Sequence, residues 1–285
     1  MRSLFFFFFC LTAIPTFAQP TATTEPINRY ADGAYGTFGS FEDGSLAYAL
    51  ATDVNVREQP EPLAKVIHTL PIGTQVMVEK RLEKVYMQNG FEAPWHKVSF
   101  VAENGTRKTG YVWGGMLTQA IARSKQAEGT LFLLGVASAN EKKMHLRLQV
   151  RAAREGKELT KMEFATAATF ERGMAVAAVA LGTVGFTGIS DALLFEMQYE
   201  ACGYVGAEHL IMWDGTHLYE GYEATRAADA GAFAESNELV FPNEKGGKPQ
   251  AIVINNELMQ TDEKGKEKTK KKTTVLKWNG KKFVK

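Results

Sequence analysis

Cysteine is scarce in this chain. The 285 residues include only two, Cys10 and Cys202. Cys10 lies in an N-terminal segment that we expect to be removed, so the mature chain would keep one thiol and could form no internal disulfide. This argues against a disulfide-stapled scaffold. The length is sufficient for two domains of ordinary size, each stabilised by its own hydrophobic core.

An excess of charge of either sign is also missing. The 33 Lys and Arg residues nearly balance the 32 Asp and Glu residues, which gives a formal net charge of +1. Nucleic-acid binding depends on a strongly basic face. We therefore predict no nucleic-acid partner.

Apolar runs long enough to cross a bilayer, which takes about 20 residues, are absent as well. The N-terminal apolar stretch follows Met-Arg-Ser-Leu and ends at Phe17, just before Ala18. This pattern is typical of a secretory signal peptide, here cut after Ala18. We expect residues 1–18 to be the signal peptide, the mature protein to be periplasmic or extracellular, and no transmembrane segment to remain. Met174–Ile189 is uncharged but interrupted by three glycines, which favours buried strands with tight turns.

Recognisable catalytic patterns are lacking. The Ala201-Cys-Gly-Tyr-Val205 segment is followed by no histidine beyond His217, so a cysteine nucleophile with a downstream base is disfavoured. We expect Cys202 to be a small buried apolar side chain. Glu208, His209, Asp214 and His217 form the one local cluster of possible ligands, and their spacing around a hairpin turn predicts surface polar residues. We predict no catalytic residue, no metal and no cofactor.

What the chain does contain is a series of short β-type segments between Val54 and Leu117. Val54, Val56, Val76 and Val78 alternate with polar or flexible positions, which is the period of a half-buried strand. Turn signals separate these runs, among them the Pro-Ile-Gly sequence at 71–73. Short strands joined by tight turns indicate a small barrel or sandwich.

In their order, these pieces resemble a bacterial Src-homology-3 (SH3b) domain. The resemblance is carried by Val-Asn-Val-Arg at 54–57, the run at 65–78, Trp95 to Phe100, and Thr-Gly-Tyr-Val-Trp-Gly at 109–114. It covers about a quarter of the chain and implies a small β-barrel that binds a ligand without chemistry of its own. The segment Leu82–Pro94 departs from the pattern because it is longer and more charged than the usual strand connection.

The resemblance implies that the ligand contacts are aromatic, and Trp95, Tyr111 and Trp113 are the candidates. Aromatic faces bind peptide and sugar with little loss of conformational entropy. Trp95 and Tyr111 also suit a hydrophobic core. Trp113, which precedes Gly114 and Gly115, is the better candidate for the surface.

Around this module we expect a linker or irregular arm at 19–45, the barrel at 46–118, a polar, helix-compatible connection at 118–128, and a β-rich domain of unknown family at 129–285. Four aromatic residues of the arm could pack on a domain: Tyr30, Tyr35, Phe38 and Phe41. The fold class is therefore all-β, with a small SH3-like barrel followed by a second domain of hairpins, sandwich or propeller-like sheets.

The second half repeats one hairpin signal. Trp213-Asp-Gly215 and Trp278-Asn-Gly280 each end one strand-like run and precede another. Asp-Gly and Asn-Gly are strong signals for two-residue hairpin turns, in which both central residues have positive φ. The lysine-rich segment Asp262–Lys272 is predicted to be a charged hairpin tip. It is either a solvated loop or a weak site for anionic polymers.

Two functions are consistent with these patterns. The first is a secreted or periplasmic, non-catalytic binding protein of the bacterial envelope, whose SH3b module engages peptidoglycan peptide or a protein partner. The alternative is a cell-wall hydrolase with its catalytic domain at 129–285. That alternative predicts a concave pocket with converging polar groups.

Overall fold

The structure is a computed structural model that describes residues 36–170, 174–199, 201–229, 232–262 and 264–285. The predicted signal peptide and most of the predicted arm, including Tyr30 and Tyr35, lie outside the described residues. The prediction of an all-β fold is confirmed. In the described ranges the only helical elements are two short 3-10 helices, Gly114–Met116 and Glu141–Lys143. None of the helices described has the length and apolar character needed to cross a membrane.

Nineteen strands make up the described fold. In chain order they are β1 (Gly36–Thr37), β2 (Leu46–Tyr48), β3 (Val54–Arg57), β4 (Val66–Leu70), β5 (Gln75–Gln88), β6 (Phe91–Val101), β7 (Arg107–Trp113), β8 (Ala120–Arg123), β9 (Thr130–Asn140), β10 (His145–Arg154), β11 (Lys157–Thr166), β12 (Ala175–Ala180), β13 (Asp191–Gln198), β14 (Val205–Trp213), β15 (Leu218–Asp229), β16 (Phe233–Val240), β17 (Ala251–Thr261), β18 (Glu267–Trp278) and β19 (Phe283–Val284).

The first sheet has six antiparallel strands in the order β2-β5-β6-β7-β3-β4. It curls around its own apolar core, which includes Val54, Val56, Val76 and Val78, each at most 1% exposed. The alternation seen in the sequence is thus the inward face of these strands. After the 3-10 helix at 114–116, Leu117 forms an isolated bridge with Ala49 and brings the end of this segment back to its beginning.

The segment Leu82–Pro94 is a hairpin rather than a loop, which corrects the expectation of a long connection. β5 and β6 pair from Met77 to Gln88 and turn at Asn89-Gly90, whose φ angles are both positive. This is the two-residue turn that an Asn-Gly sequence favours. The tip docks on β9, where Ala139 N–H donates to the Asn89 carbonyl. A Cβ on Gly90 would lie 2.0 Å from the Ala139 carbonyl oxygen, so glycine permits this close approach.

The second sheet has four antiparallel strands in the order β11-β10-β9-β8. Strand β8 lies inside the segment 118–128, so the prediction of a polar, helix-compatible connection is wrong there. Thr118 and Gln119 are buried, because β8 pairs with β9 and brings them under the sheet. One face of this sheet packs on β12 to β14 through a core that also contains Trp95 and Trp113 of the first sheet, so all three sheets share it.

The third sheet has nine antiparallel strands in the order β1-β12-β13-β14-β15-β16-β17-β18-β19. The expected buried strand at 174–189 is β12, followed by a turn segment. Phe38, next to β1, is buried in the shared core, and Phe41 is partly buried, as the aromatic character of the arm suggested. A separate core lies within this sheet and includes Leu194, Leu210, Ile254 and Trp278.

The two Trp-Asp/Asn-Gly hairpins are present, but their turns differ from the prediction. Trp213 pairs with Leu218, and Trp278 pairs with Phe283, so each loop has four residues rather than two. Only the glycine of each pair has positive φ. The Asp214 and Asn279 side chains instead accept hydrogen bonds from backbone N–H groups two and three residues later, which stabilises the longer loop.

Candidate functional site

The three predicted aromatic contacts do not form an exposed surface. Trp95 is 3% exposed and Trp113 is 7% exposed, while Tyr111 is half-buried. The expectation that Trp113 is a surface side chain is therefore wrong. Its indole N–H donates to the carbonyls of Tyr86 and Ala93, both at 2.9 Å. The long β5–β6 hairpin covers the ring from one side. A binding role for these residues stays a prediction, and burial leaves the two tryptophans little surface with which to fulfil it.

Gly115 explains why the glycines beside Trp113 did not indicate a surface. A Cβ on Gly115 would lie 2.3 Å from the Trp113 ring, so the backbone passes directly over the indole. A Cβ on Gly114 would likewise lie 2.1 Å from the Gly39 carbonyl oxygen. Gly115 therefore permits close packing over the Trp113 ring, and Gly114 permits close packing against Gly39 and His96.

His96 is a buried neutral group in the first sheet. Its side chain is fully buried, and Nε2 accepts a hydrogen bond from the Phe41 N–H at 3.2 Å. Burial and, to a lesser degree, the positive charge of Arg81 lower the pKa of His96 from 6.5 to about 4, against an opposing effect of Asp43. The imidazole thus holds residue 41 in place and remains unprotonated at neutral pH.

His209 is also buried, which corrects the expectation of a surface position. Its imidazole lies against Phe164, with ring centroids 4.6 Å apart, and Nε2 contacts Glu223 Oε1 at 2.8 Å. Glu223 also accepts hydrogen bonds from the Thr166 hydroxyl and the Ala167 N–H. Burial alone raises the pKa of Glu223, but the contact with His209, followed by the hydrogen bonds from Ala167 and Thr166, outweighs it and holds the pKa below its ordinary value. Through the hydrogen bonds of Glu223 to Thr166 and Ala167, and the contact of His209 with Phe164, the pair connects the end of β11 to the nine-stranded sheet.

The predicted ligand cluster does not converge. His209 is buried, whereas the His217 side chain is 66% exposed and lies beside Asp214 in the hairpin loop. Over the described ranges 36–170, 174–199, 201–229, 232–262 and 264–285, no three His, Cys, Asp or Glu side chains are grouped so that they could hold a metal ion.

A concave site lies on the nine-stranded sheet, far in sequence from the predicted contacts. It is a cavity of about 640 Å³ over one face of five successive strands, β13 to β17. Register places its floor residues side by side. Gly206 pairs with Arg226, Ala228 pairs with Ala234, and Ala234 pairs with Met259. Directly paired residues of antiparallel strands share a face, so these side chains all border the same space.

Arg226 lies across the floor because β14 has glycine opposite it. A Cβ on Gly206 would be 3.3 Å from Arg226 Cγ and 3.4 Å from Nε, so any larger residue would press on the arginine stem. The guanidinium forms an ion pair with Glu196 of β13. This contact fixes the planar group at one end of the cavity.

Tyr199 and residues 201–204 form the wall. Tyr199 and Tyr204 contact each other there, with ring centroids 4.8 Å apart and ring planes inclined by 50°. Gly203, at φ 80°, donates its N–H to the Ala228 carbonyl and so attaches the loop to β15. Cys202 lies between the two tyrosines and is exposed, which corrects the expectation of a buried thiol.

The far wall is formed by β16 and β17. Ser236 pairs with Glu257, and Glu257 pairs in turn with Lys271 of β18. Lys271 Nζ lies 2.8 Å from Glu257 Oε2. Each end of the cavity therefore carries one opposite-charge pair, with a floor of small and apolar side chains between them.

Sequence reasoning missed this site because its residues come from five strands. The local signals that existed were Tyr199 and Tyr204 flanking Cys202, and an isolated glycine at 206 inside a strand pattern, which indicates close backbone or side-chain approach. The chain matches no protein-family model, no curated protein and no solved structure.

Proposed function

We propose that the protein is a non-catalytic binding protein exported to the bacterial envelope, and that the cavity on the nine-stranded sheet is its ligand site. The observation that carries the proposal is the cavity itself. Its volume of about 640 Å³ is in the range typical of small-molecule and cofactor sites. Its lining is also typical of such sites, because apolar and aromatic side chains predominate and a few polar groups are fixed among them.

The export part of the proposal depends on the N-terminal sequence. A short apolar stretch that ends at Phe17 after a single positive charge, followed by Ala18, is what a signal peptide requires. Cleavage there would leave Cys202 as the only thiol.

The SH3b resemblance supports a second candidate, in which the six-stranded sheet binds a peptide of peptidoglycan or of a protein partner. The specific observation in its favour is a set of exposed apolar side chains in strand β4, an edge of that sheet, and in the turn before it. Leu63 is 98% exposed, and Val66 and Ile67 are each 41% exposed. Because the predicted aromatic contacts are largely buried, a ligand of this sheet would meet these aliphatic side chains and Tyr111.

The hydrolase alternative would need a nucleophile and a base within hydrogen-bonding reach. Cys202 borders the cavity, whereas the His209 imidazole is buried against Phe164 and engaged by Glu223. The two side chains therefore do not form a catalytic pair. The proposal accordingly gives Cys202 no catalytic role.

Retention on purified peptidoglycan sacculi tests the proposed function. The full-length protein, expressed with its own leader, is incubated with sacculi, and the bound fraction is measured after sedimentation. We expect retention that Tyr204→Ala weakens and Tyr111→Ala preserves. The reverse pattern would favour the six-stranded sheet as the binding surface.

Two further outcomes count against the proposal. A fall in the turbidity of the sacculi during the same incubation would show hydrolysis and overturn the non-catalytic assignment. Absence of retention would exclude peptidoglycan as the envelope ligand and direct the search to a protein partner.

A further inference from the structure

Three charged residues border the cavity, and two of them, Arg226 and Glu257, carry their charges on its floor face. The third, Glu235, is the neighbour of Ser236 in β16, so its side chain points to the opposite face of the sheet, where it accepts a hydrogen bond from the Asn256 amide. Arg226 is paired with Glu196 at one end, and Glu257 is paired with Lys271 at the other. We propose that the cavity binds an uncharged saccharide chain, an inference that rests on the proposed function of the cavity as a ligand site. A ligand with a net charge would have to compete with one partner of a pair and leave the other partner exposed to a like charge.

The apolar part of the site suits the C–H face of a sugar ring. The floor row of Ala228, Ala234 and Met259 is continuous, because the three residues are direct neighbours on successive strands. Tyr199 and Tyr204 stand beside it with their rings in contact. Aromatic side chains provide large, rigid contact area at a low cost in conformational entropy.

The polar part of the site suits hydroxyl groups. Guanidinium and carboxylate are planar groups with fixed, forked arrangements of donors and acceptors. Arg226 and Glu257 are already oriented by their ion pairs, and the Ser236 hydroxyl and the Gln198 amide border the same space. Pre-oriented polar groups lose little rotamer freedom on binding, which is what recognition of a weakly binding neutral ligand requires.

The length of the site favours a chain of sugars over a single ring. Neighbouring strands are about 4.8 Å apart, so the four spacings from β13 to β17 span about 19 Å. The Tyr199–Tyr204 wall and the Glu257–Lys271 pair lie at opposite ends of this span. An oligosaccharide can contact both ends at once.

Cys202 provides a direct reporter, because it is exposed and borders the cavity. The experiment uses the full chain carrying Cys10→Ser, so that Cys202 is the single thiol, and measures its rate of reaction with the uncharged reagent dithiodipyridine. The probes are two neutral tetrasaccharides, cellotetraose and chitotetraose, a cationic tetramer of glucosamine and an anionic tetramer of galacturonate. A dissociation constant of about 1 mM predicts about tenfold slower modification at about 10 mM of a neutral probe.

The charged tetramers should slow the reaction less than about twofold at the same concentration, since each lacks a complementary unpaired charge in the site. Protection is measured as the ratio of the reaction rates without and with sugar. Tyr204→Ala should abolish it. Tyr111→Ala should keep it. Arg226→Lys retains the charge but removes the planar fork. It should weaken binding at least about tenfold, the usual loss for one hydrogen bond to a charged group, and so lower the protection to about twofold or less.

Each result decides a different point. Stronger protection by either charged tetramer would overturn the neutral-saccharide inference. Retention on sacculi without protection by any neutral tetramer would also overturn it, while the proposed function would stand. Protection by a neutral tetramer without retention on sacculi would support the inference and remove peptidoglycan from the proposed function.

Discussion

Acidification should destabilise this protein through His96. The native state holds the ring neutral, because Nε2 accepts the Phe41 N–H and burial lowers the pKa from 6.5 to about 4. In the unfolded chain the same ring binds a proton below its ordinary pKa. The stabilising contribution of His96 is therefore fully present above pH 6.5 and is lost as the pH falls from 6.5 towards 4.

The size of the effect follows from the shift in pKa. A difference of about 2.5 between the two states corresponds to about 3 kcal/mol when the transition is complete, at 1.36 kcal/mol for each unit. At about pH 5 the loss is about 2 kcal/mol, because the unfolded ring is then almost fully protonated and the native ring is not. This is a substantial part of the stability of an ordinary domain.

Urea unfolding at about pH 7.5 and about pH 5 measures this loss. His96→Gln replaces the titrating ring by a neutral amide. We expect it to be less stable than the parent at the higher pH, and to lose about 2 kcal/mol less on acidification. Val98→Ala, a substitution at another fully buried position of the same strand, is the control. It should lower stability by a similar amount at both pH values. If the parent and His96→Gln lose equal stability between the two pH values, the reasoning is refuted.

Two other substitutions test the packing. Gly90→Ala and Gly105→Ala each place an alanine at positive φ, at a cost of about 1–2 kcal/mol. Only Gly90→Ala would bring Cβ to 2.0 Å from the Ala139 carbonyl oxygen. Its free energy of unfolding, measured by thermal unfolding, should therefore fall by a further ~1–3 kcal/mol. Equal losses would contradict the docking of the hairpin tip. Trp113→Ala should cost about 3–5 kcal/mol, and half-buried Tyr111→Ala clearly less. If Trp113→Ala loses no more stability than Tyr111→Ala, the indole is not part of the core.

The sequence was sufficient to predict what depends on neighbours along the chain. The period-two pattern of Val54, Val56, Val76 and Val78 identified an inward face, and Trp-Asp-Gly and Trp-Asn-Gly identified hairpins. The details of the turns were wrong, because the Asp214 and Asn279 side chains accept hydrogen bonds from backbone N–H groups and so favour a four-residue loop.

What could not be predicted depends on contacts distant in sequence. Trp113 is covered because the hairpin tip docks on Ala139, and nothing near Trp113 in the sequence indicates that contact. The cavity is an extreme case, since its floor is set by the register of five strands. Cys202 was expected in a core because small thiols are commonly buried. Its position in a surface loop follows from how that loop is attached to β15.

The two edges of the nine-stranded sheet bear on aggregation. Among the described strands, β1 and β19 occupy these edges. Next to β1 lies β12 (Ala175–Ala180), an entirely apolar strand that is buried over residues 176–180 and packs against β8. An uncovered edge is a template for pairing with another copy, and this packing of β12 limits such pairing.

At the opposite edge, β19 pairs with Lys277 and Trp278, so most of β18 has no further strand beside it among the described strands. That uncovered length carries the lysine-rich run from 268 to 272, all of it exposed. Lysines on an edge strand disfavour addition of a second molecule, because the approaching strand would bury their charge. The lysine run, which as sequence alone suggested a site for anionic polymers, is thus also typical of an edge strand that resists pairing.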